Sequence, residues 1–411
     1  MRADSPQKLL LLALGAMFVQ QTFASLGRTL PPVIAPAIID DLGIDASLLG
    51  IYVGAAAFAA LMFQLGCGSF ILRHGALRMS QVALVFLALG LAFASAGPLM
   101  LFLLSAIIGG GGAAMSTPAS SHLLGRYSPP KQAPLVFSIK QTAVPAGLLL
   151  AGLLGPYLTD LAGWRATLLI GAFACFVFAL FLQPWRAEFD SDRIPSRSFR
   201  LSDFRTTLTS VLKIKALRDL SFACFAFNGA QTVFTSYYVV YLTSLDYDLT
   251  TAGIMFSVAM TVAVPGRIFW GWLSSGRVAP RKVMAGLSLG MAASAAAMAF
   301  YQTAWSPWMI GAIATGMSLT AMSWHGVLLS EAARLAPPGT RAASTGGVLS
   351  FGQIGAFLLP VIYAALLALT GSYGLGFAVA GLPALIMGVV MLRAVRQHSD
   401  PLRRKPFSTR S

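Results

Sequence analysis

Hydrophobic residues run along this chain in blocks of about 20, separated by short polar connections. A helix needs about 20 apolar residues to cross roughly 30 Å of hydrocarbon. Barrel strands would instead show about ten residues of alternating polarity, and no such alternation is present. The blocks predict twelve membrane-spanning helices, at residues 9–36, 46–71, 79–97, 99–124, 133–158, 165–183, 219–243, 251–274, 283–303, 307–330, 342–369 and 374–395. The only long polar stretch, Pro184 to Arg218, divides them into two sets of six. The expected organisation is an N-terminal six-helix bundle (1–183), a central loop (184–218), a C-terminal six-helix bundle (219–395) and a tail (396–411).

Composition agrees with an all-α polytopic membrane protein. Of the 411 residues, 56% are hydrophobic and only 10% charged, and mean hydropathy is +0.74, far from a soluble protein of this size. Charge then gives the orientation. Of the 29 Lys and Arg, all but Arg28, Lys140, Arg165 and Arg267 fall in the seven segments that face one side if the chain crosses twelve times. Cytoplasmic loops carry such an excess, so both termini and the central loop are expected inside. The outer loops carry Asp40, Asp41, Asp45, Asp160, Asp246 and Asp248 against Arg165. The net charge of +15 therefore reflects membrane topology, and no soluble basic module suggests a nucleic-acid partner. Met1, Arg2 and Lys8 before Leu9–Phe18 look like a signal sequence without a cleavage site, hence an uncleaved first span. The excess of Arg over Lys and the single Asn, Asn228, suggest a GC-rich bacterial genome and a bacterial inner membrane.

The two halves share a landmark after their second span. It reads Gly68-Ser-Phe-Ile-Leu-Arg73-His-Gly75-Ala-Leu-Arg78 in the first and Gly271-Trp-Leu-Ser-Ser-Gly-Arg277-Val-Ala-Pro-Arg281-Lys282 in the second. Parallel six-helix repeats fit a duplicated secondary-transporter plan. Over nearly its whole length the chain resembles the major facilitator superfamily, whose signature at this position is Gly-x-x-x-Asp-Arg-x-Gly-Arg-Arg. Gly68, Arg73, Gly75 and Arg78 match it loosely, and Leu72 stands where the family has Asp. The second copy has Ser275 or Gly276 where that Asp would fall. Gly163-Trp164-Arg165 is a further shared feature. The resemblance implies two pseudo-symmetric bundles that rock about a midplane site, with the two landmarks as conformational motifs.

Candidate chemistry lies in the three deep charges. All 14 acids fall in loops or at span ends, so Arg28 in span 1, Lys140 in span 5 and Arg267 in span 8 have no carboxylate at their own depth. A charge in hydrocarbon costs several kcal/mol unless it meets water, a dipole or an opposite charge. A bound anion would serve, and so would snorkelling to a headgroup. Helix phase points to a polar cavity. Gln21, Ser25 and Arg28 share one face of span 1, as do Asn228, Thr232 and Thr235 of span 7 with Gln231 beside them, and Ser318, Met322 and His325 of span 10. Gln141 follows Lys140. His325 is the one group there that titrates near neutral pH, so it is a candidate for proton coupling.

Val264-Pro-Gly-Arg267-Ile-Phe-Trp-Gly271 is similar to span 8 of the monocarboxylate and oxalate–formate branches, and the resemblance implies that Arg267 contacts a substrate carboxylate. The oxalate-type Lys of span 11 is absent, and Lys140 sits in span 5, the repeat-related helix. An Arg fork can grip a carboxylate with two bonds. Gly109–Gly112 lacks the Lys-Ser/Thr of a nucleotide loop and reads as close helix packing. Cys67, Cys175 and Cys224 have no metal-ligand spacing. No nucleophile–base set suggests an enzyme, and no cofactor or metal is expected.

The expected function is secondary transport of a small organic anion, a mono- or dicarboxylate, by a monomer. Arg28, Lys140 and Arg267 would hold the anion, with Gln21, Gln141, Asn228, Gln231 and His325 shaping the site and a proton or counter-anion coupled. Alternatives are an exporter of drugs or other amphiphiles and, in another class, a transporter-fold membrane sensor.

Overall fold

The computed structural model describes residues 6–129, 133–196, 211–274, 277–337 and 341–399. Arg2, Lys131, Arg197, Arg200, Arg205, Ser275, Gly276 and the chain beyond Ser399 lie outside them, as does the side chain of Cys67.

The described residues are almost entirely helical, and they form twelve spans. Seven helical stretches are long and apolar enough to cross a membrane, and the bent pair Leu48–Gln64 and Gly68–His74 forms an eighth crossing. One of the seven, Ile139–Phe189, is 51 residues long and turns at Gly163, whose φ of +81° only glycine adopts cheaply. It is therefore spans 5 and 6, and the outer loop expected between them shrinks to a single turn. Three less apolar spans complete the set. Span 7 (Lys215–Thr243) carries the polar residues Asn228, Gln231, Thr232 and Thr235. Span 9 (Pro280–Met298) is short and Ala-rich. Span 10 is split into Pro307–Ala321 and Trp324–Leu335.

Other boundaries differ from the hydropathy pattern where backbone chemistry intervenes. Span 1 is Pro6–Val33 followed by Ala35–Leu42, broken after Pro31 and Pro32. Span 5 opens with Ala133–Gln141, separated at Thr142 from the long helix that starts at Ala143. Spans 2, 3, 4, 8, 11 and 12 are Leu48–His74, Ala76–Ser95, Leu99–Tyr127, Leu249–Ser274, Arg341–Thr370 and Tyr373–Ser399.

Packing repeats between the halves. Spans 1, 3, 4 and 5 pack against 5, 6, 2 and 1 respectively, and spans 7, 9, 10 and 11 pack against 11, 12, 8 and 7. Gln81 donates to the Ala179 carbonyl across spans 3 and 6 at 2.9 Å, and Ser288 donates to the Ala384 carbonyl across spans 9 and 12 at 2.7 Å. The halves meet mainly through two related pairs, spans 2 with 11 and spans 5 with 8, and to a lesser extent through span 1 with span 7. Both pairs come close together at the end rich in aspartate, here called the acidic end. A Cβ on Gly50 would strike Ala364, the Pro360 carbonyl and the Tyr237 hydroxyl, and one on Gly54 would lie 2.5 Å from Val361. A Cβ on Gly152 would lie 2.5 Å from the Ser257 hydroxyl. Thr250 donates to Asp160 beside that contact. Bare glycine backbone is what allows helices to approach this closely.

At the opposite, basic end, the start of the central loop docks onto the first half. The loop opens with a helical turn, Gln183–Trp185, and a short helix, Arg186–Phe189. Asp190, 3% exposed, then accepts from the backbone N–H groups of Leu77 and Arg78 at 2.7 and 3.0 Å. A carboxylate at the first turn of span 3 satisfies orphan donors and complements the helix dipole. Gly75, at φ +97°, has the Asp190 carboxyl where a side chain would be. A loop aspartate thus caps the very landmark in which Leu72 replaces the family's Asp. Burial raises the Asp190 carboxyl above its ordinary range, against the pull of those two N–H groups and Arg186. Asp192 pairs with His122 at 2.9 Å and Arg126 at 3.2 Å. Arg73 and Arg78 are exposed. Added Cβ atoms on Gly68 and Gly271 would meet nothing. Arg277 stacks on Trp272 at 4.0 Å.

Candidate functional site: a cavity with two arginines

Between the halves lies a cavity of about 200 Å³, room for on the order of a dozen waters or one single-ring acid. Spans 1, 2, 4, 5, 7, 8, 10 and 11 contribute to its wall. Arg28, Gln21, Gln141, Asn228, Gln231, Arg267 and His325 all line it. Lys140 does not: its side chain is 0% exposed and lies behind the wall. Ser318 and Met322 are also buried away from the cavity. Span 10 breaks between Met322 and Trp324, so regular helix phase does not carry from Ser318 to His325.

The position of Arg267 follows from two helix breaks. Pro145 has no N–H, so the Gln141 carbonyl, four residues earlier, lacks its helical donor. Arg267 Nη1 supplies one at 2.6 Å. The Met322 carbonyl is left over at the break in span 10, and Arg267 Nε donates to it at 2.7 Å. Gly266 lets span 8 approach that break, since a Cβ there would lie 2.9 Å from the Ser323 hydroxyl. One side chain thus ties span 8 to span 5 of the other half and to span 10. A guanidinium has five N–H donors, and two bonds leave three, including one on each terminal nitrogen. Arg28 is open to the cavity from span 1. Among the described residues no acidic side chain pairs with Arg28, Lys140 or Arg267.

The amides around these cations are held at one end. Gln21 accepts from Thr117 at 3.1 Å, Gln231 accepts from the Trp324 indole at 3.0 Å, and Asn228 donates to the Gly352 carbonyl at 2.8 Å. All three residues line the cavity. His325 stacks on Trp324 with ring centroids 3.6 Å apart, and its Nδ1 is buried without a partner. Sequence reasoning missed Trp324, Tyr52, Gln64 and Gln353, which also line the cavity. Gln353 donates to Gln64 at 2.9 Å across the halves. Their signal was present, since a glutamine inside an otherwise apolar span needs a polar neighbour.

Residues 17–360 match the family model described as Major Facilitator Superfamily. The chain belongs to that superfamily. It is accordingly a multi-pass membrane transporter with the twelve-helix fold. Solved transporter structures superimpose over most of its length. A bacterial homolog of the human lysosomal transporter Spinster, inward-facing and occupied, gives a TM-score of 0.73 at 15% identity, covering 96% of this chain and 98% of that one. A POT family transporter in complex with 5-aminolevulinic acid gives 0.77 at 13% identity, covering 94% and 96%. At these identities the likeness concerns the fold alone. In sequence, the chain is 25% identical over 403 residues to the 4-hydroxybenzoate transporter PcaK of Pseudomonas aeruginosa, covering 89% of this chain and 88% of the relative. The 4-hydroxybenzoate transporter PcaK of Pseudomonas putida is likewise 25% identical over 403 residues.

Proposed function

We propose that this transporter carries a small organic anion, a carboxylate with an aromatic monocarboxylate as the first candidate, by alternating access. The observation that carries this reading is the pair of guanidinium groups, Arg28 and Arg267, on one cavity between the halves, without a paired carboxylate among the described residues. In low dielectric such charges call for a counter-charge, and a carboxylate suits an Arg fork. Gln21 and Gln231 offer amide donors and Asn228 a carbonyl, a set that also suits a ring hydroxyl. The 4-hydroxybenzoate transporters support the same chemistry through their weak sequence likeness. A cationic or neutral drug would leave both cations unpaired, which disfavours the exporter reading. Gly68, Arg73, Gly75, Arg78, Gly271 and Arg277 serve the rocking of the two halves at the basic end, and the working unit is a monomer.

A thermal-shift panel of formate, succinate, benzoate and 4-hydroxybenzoate on purified protein tests the reading. A ligand at about 100 times its Kd stabilises by roughly 2.7 kcal/mol. At least one carboxylate is expected to raise the melting temperature, and 4-hydroxybenzyl alcohol is not; a shift with the neutral alcohol alone would overturn the reading. The basic end is assigned to the cytoplasm of a bacterial inner membrane by its Lys and Arg. An impermeant thiol reagent added outside should then label a cysteine placed at Asp246 and miss one placed at Ser196, and the reverse would invert the topology.

A further inference from the structure

Lys140 is the one deep charge that the cavity does not use. Its side chain is fully buried and its Nζ has no hydrogen-bond partner. Yet it adjoins the site. Gln141, the next residue, lines the cavity and lends its carbonyl to Arg267. The helix Ala133–Gln141 packs against span 1, span 4 and the rest of span 5. Charged and titratable groups on those elements are Lys8, Arg28, Asp40 and Asp41 on span 1, and His122, Arg126 and Tyr127 at the basic end of span 4. The long helix of spans 5 and 6 adds Tyr157, Asp160, Arg165 and Cys175. Arg267 approaches from span 8, and His325 lines the cavity from span 10. The carboxylates in this set, Asp40, Asp41 and Asp160, are all at the acidic end, where Asp41 pairs with Arg165 and Asp160 accepts from Thr250.

Among the described residues an ammonium here would have neither acceptor nor paired counter-charge. Burying one that way is very unfavourable, whereas a neutral amine in the same place carries only the smaller cost of unpaired N–H groups. We propose that Lys140 is uncharged in the ligand-free protein and takes up one proton as the organic anion settles against Arg28 and Arg267, so that anion and proton move together. The proposal rests on the anion site above and adds its coupling partner. The amine lone pair forms an N–H bond with a proton taken up from the buffered solution, and the anion brings one negative charge. The loaded carrier therefore has the same net charge as the empty one. Coupling of this kind is reciprocal: the anion favours the proton as much as the proton favours the anion. No carboxylate in the membrane is required.

Calorimetric titration of the full-length protein with 4-hydroxybenzoate at pH 8, in buffers of different ionisation heat, tests this directly. The wild type should take up about one proton per anion, and its Kd should rise about tenfold per pH unit where the free amine and the bound ammonium are the main forms. Lys140→Arg, whose charge is permanent, should bind with no proton uptake and a nearly flat pH dependence. Lys140→Met should take up none and bind more weakly. Proton-free binding by the wild type, or one proton still taken up by Lys140→Arg, would overturn the inference while leaving the anion site standing. If the wild type binds no 4-hydroxybenzoate and no carboxylate of the panel, the anion reading falls and this inference with it.

Discussion

Arg267→Gln is expected to abolish uptake of the organic anion while the protein still reaches the membrane. Two effects act together. The cavity loses one of its two cations, and the Gln141 and Met322 carbonyls lose charge-assisted donors at 2.6 and 2.7 Å. A hydrogen bond to a charged group is worth about 1.5–3 kcal/mol, so the loss of ligand affinity alone should be roughly 10- to 100-fold or more. Loosening of the two helix breaks adds to it. Arg267→Lys restores the charge but cannot span both carbonyls and also face a ligand, so partial recovery is expected. Uptake per mole of folded protein, with folding checked by size-exclusion chromatography, measures both variants. Wild-type uptake by Arg267→Gln would remove this residue from the site.

Gly50→Leu should open the acidic end. In this conformation Gly50 of span 2 faces Ala364, the Pro360 carbonyl and the Tyr237 hydroxyl with no room for a Cβ. Overpacking of this kind costs about 1–3 kcal/mol, which shifts a two-state population roughly 5- to 150-fold. The alternate state, in which spans 2 and 11 part at that end, does not bear this cost. With the three native cysteines replaced, a cysteine at Ala57, which lines the cavity, should react faster with an impermeant maleimide from the acidic side in Gly50→Leu than in its parent. An unchanged rate would mean that the glycine contact does not hold the cavity shut.

The spans were legible because the cost of exposing backbone and charge to hydrocarbon leaves few alternatives to apolar helices. The cavity-facing stripes of spans 1 and 7 were legible for the same reason that any regular helix is: Gln21 to Arg28, and Asn228 to Thr235, keep constant phase. Span 10 was not, because the break at Met322 resets the phase between Ser318 and His325. Lys140 and Gln141 differ for a simpler reason. Neighbours on a helix point about 100° apart, so one faces the cavity and the other the packed interior. The role of the Gln141 carbonyl was foreshadowed by Pro145, but only three-dimensional structure shows that Arg267, 126 residues away, fills the vacancy. The same holds for Asp190, which reaches Leu77 across 113 residues and caps the landmark that lacks its own aspartate.

The central claim is that the cavity takes its cargo as an anion. Saturable uptake of radiolabelled 4-hydroxybenzoate into proteoliposomes, compared with labelled 4-hydroxybenzyl alcohol under the same conditions, tests it most directly. The account predicts that the carboxylate is transported, that benzoate competes, and that the alcohol neither competes nor crosses faster than through protein-free vesicles. Saturable transport of the neutral alcohol, with none of the carboxylate, would contradict it.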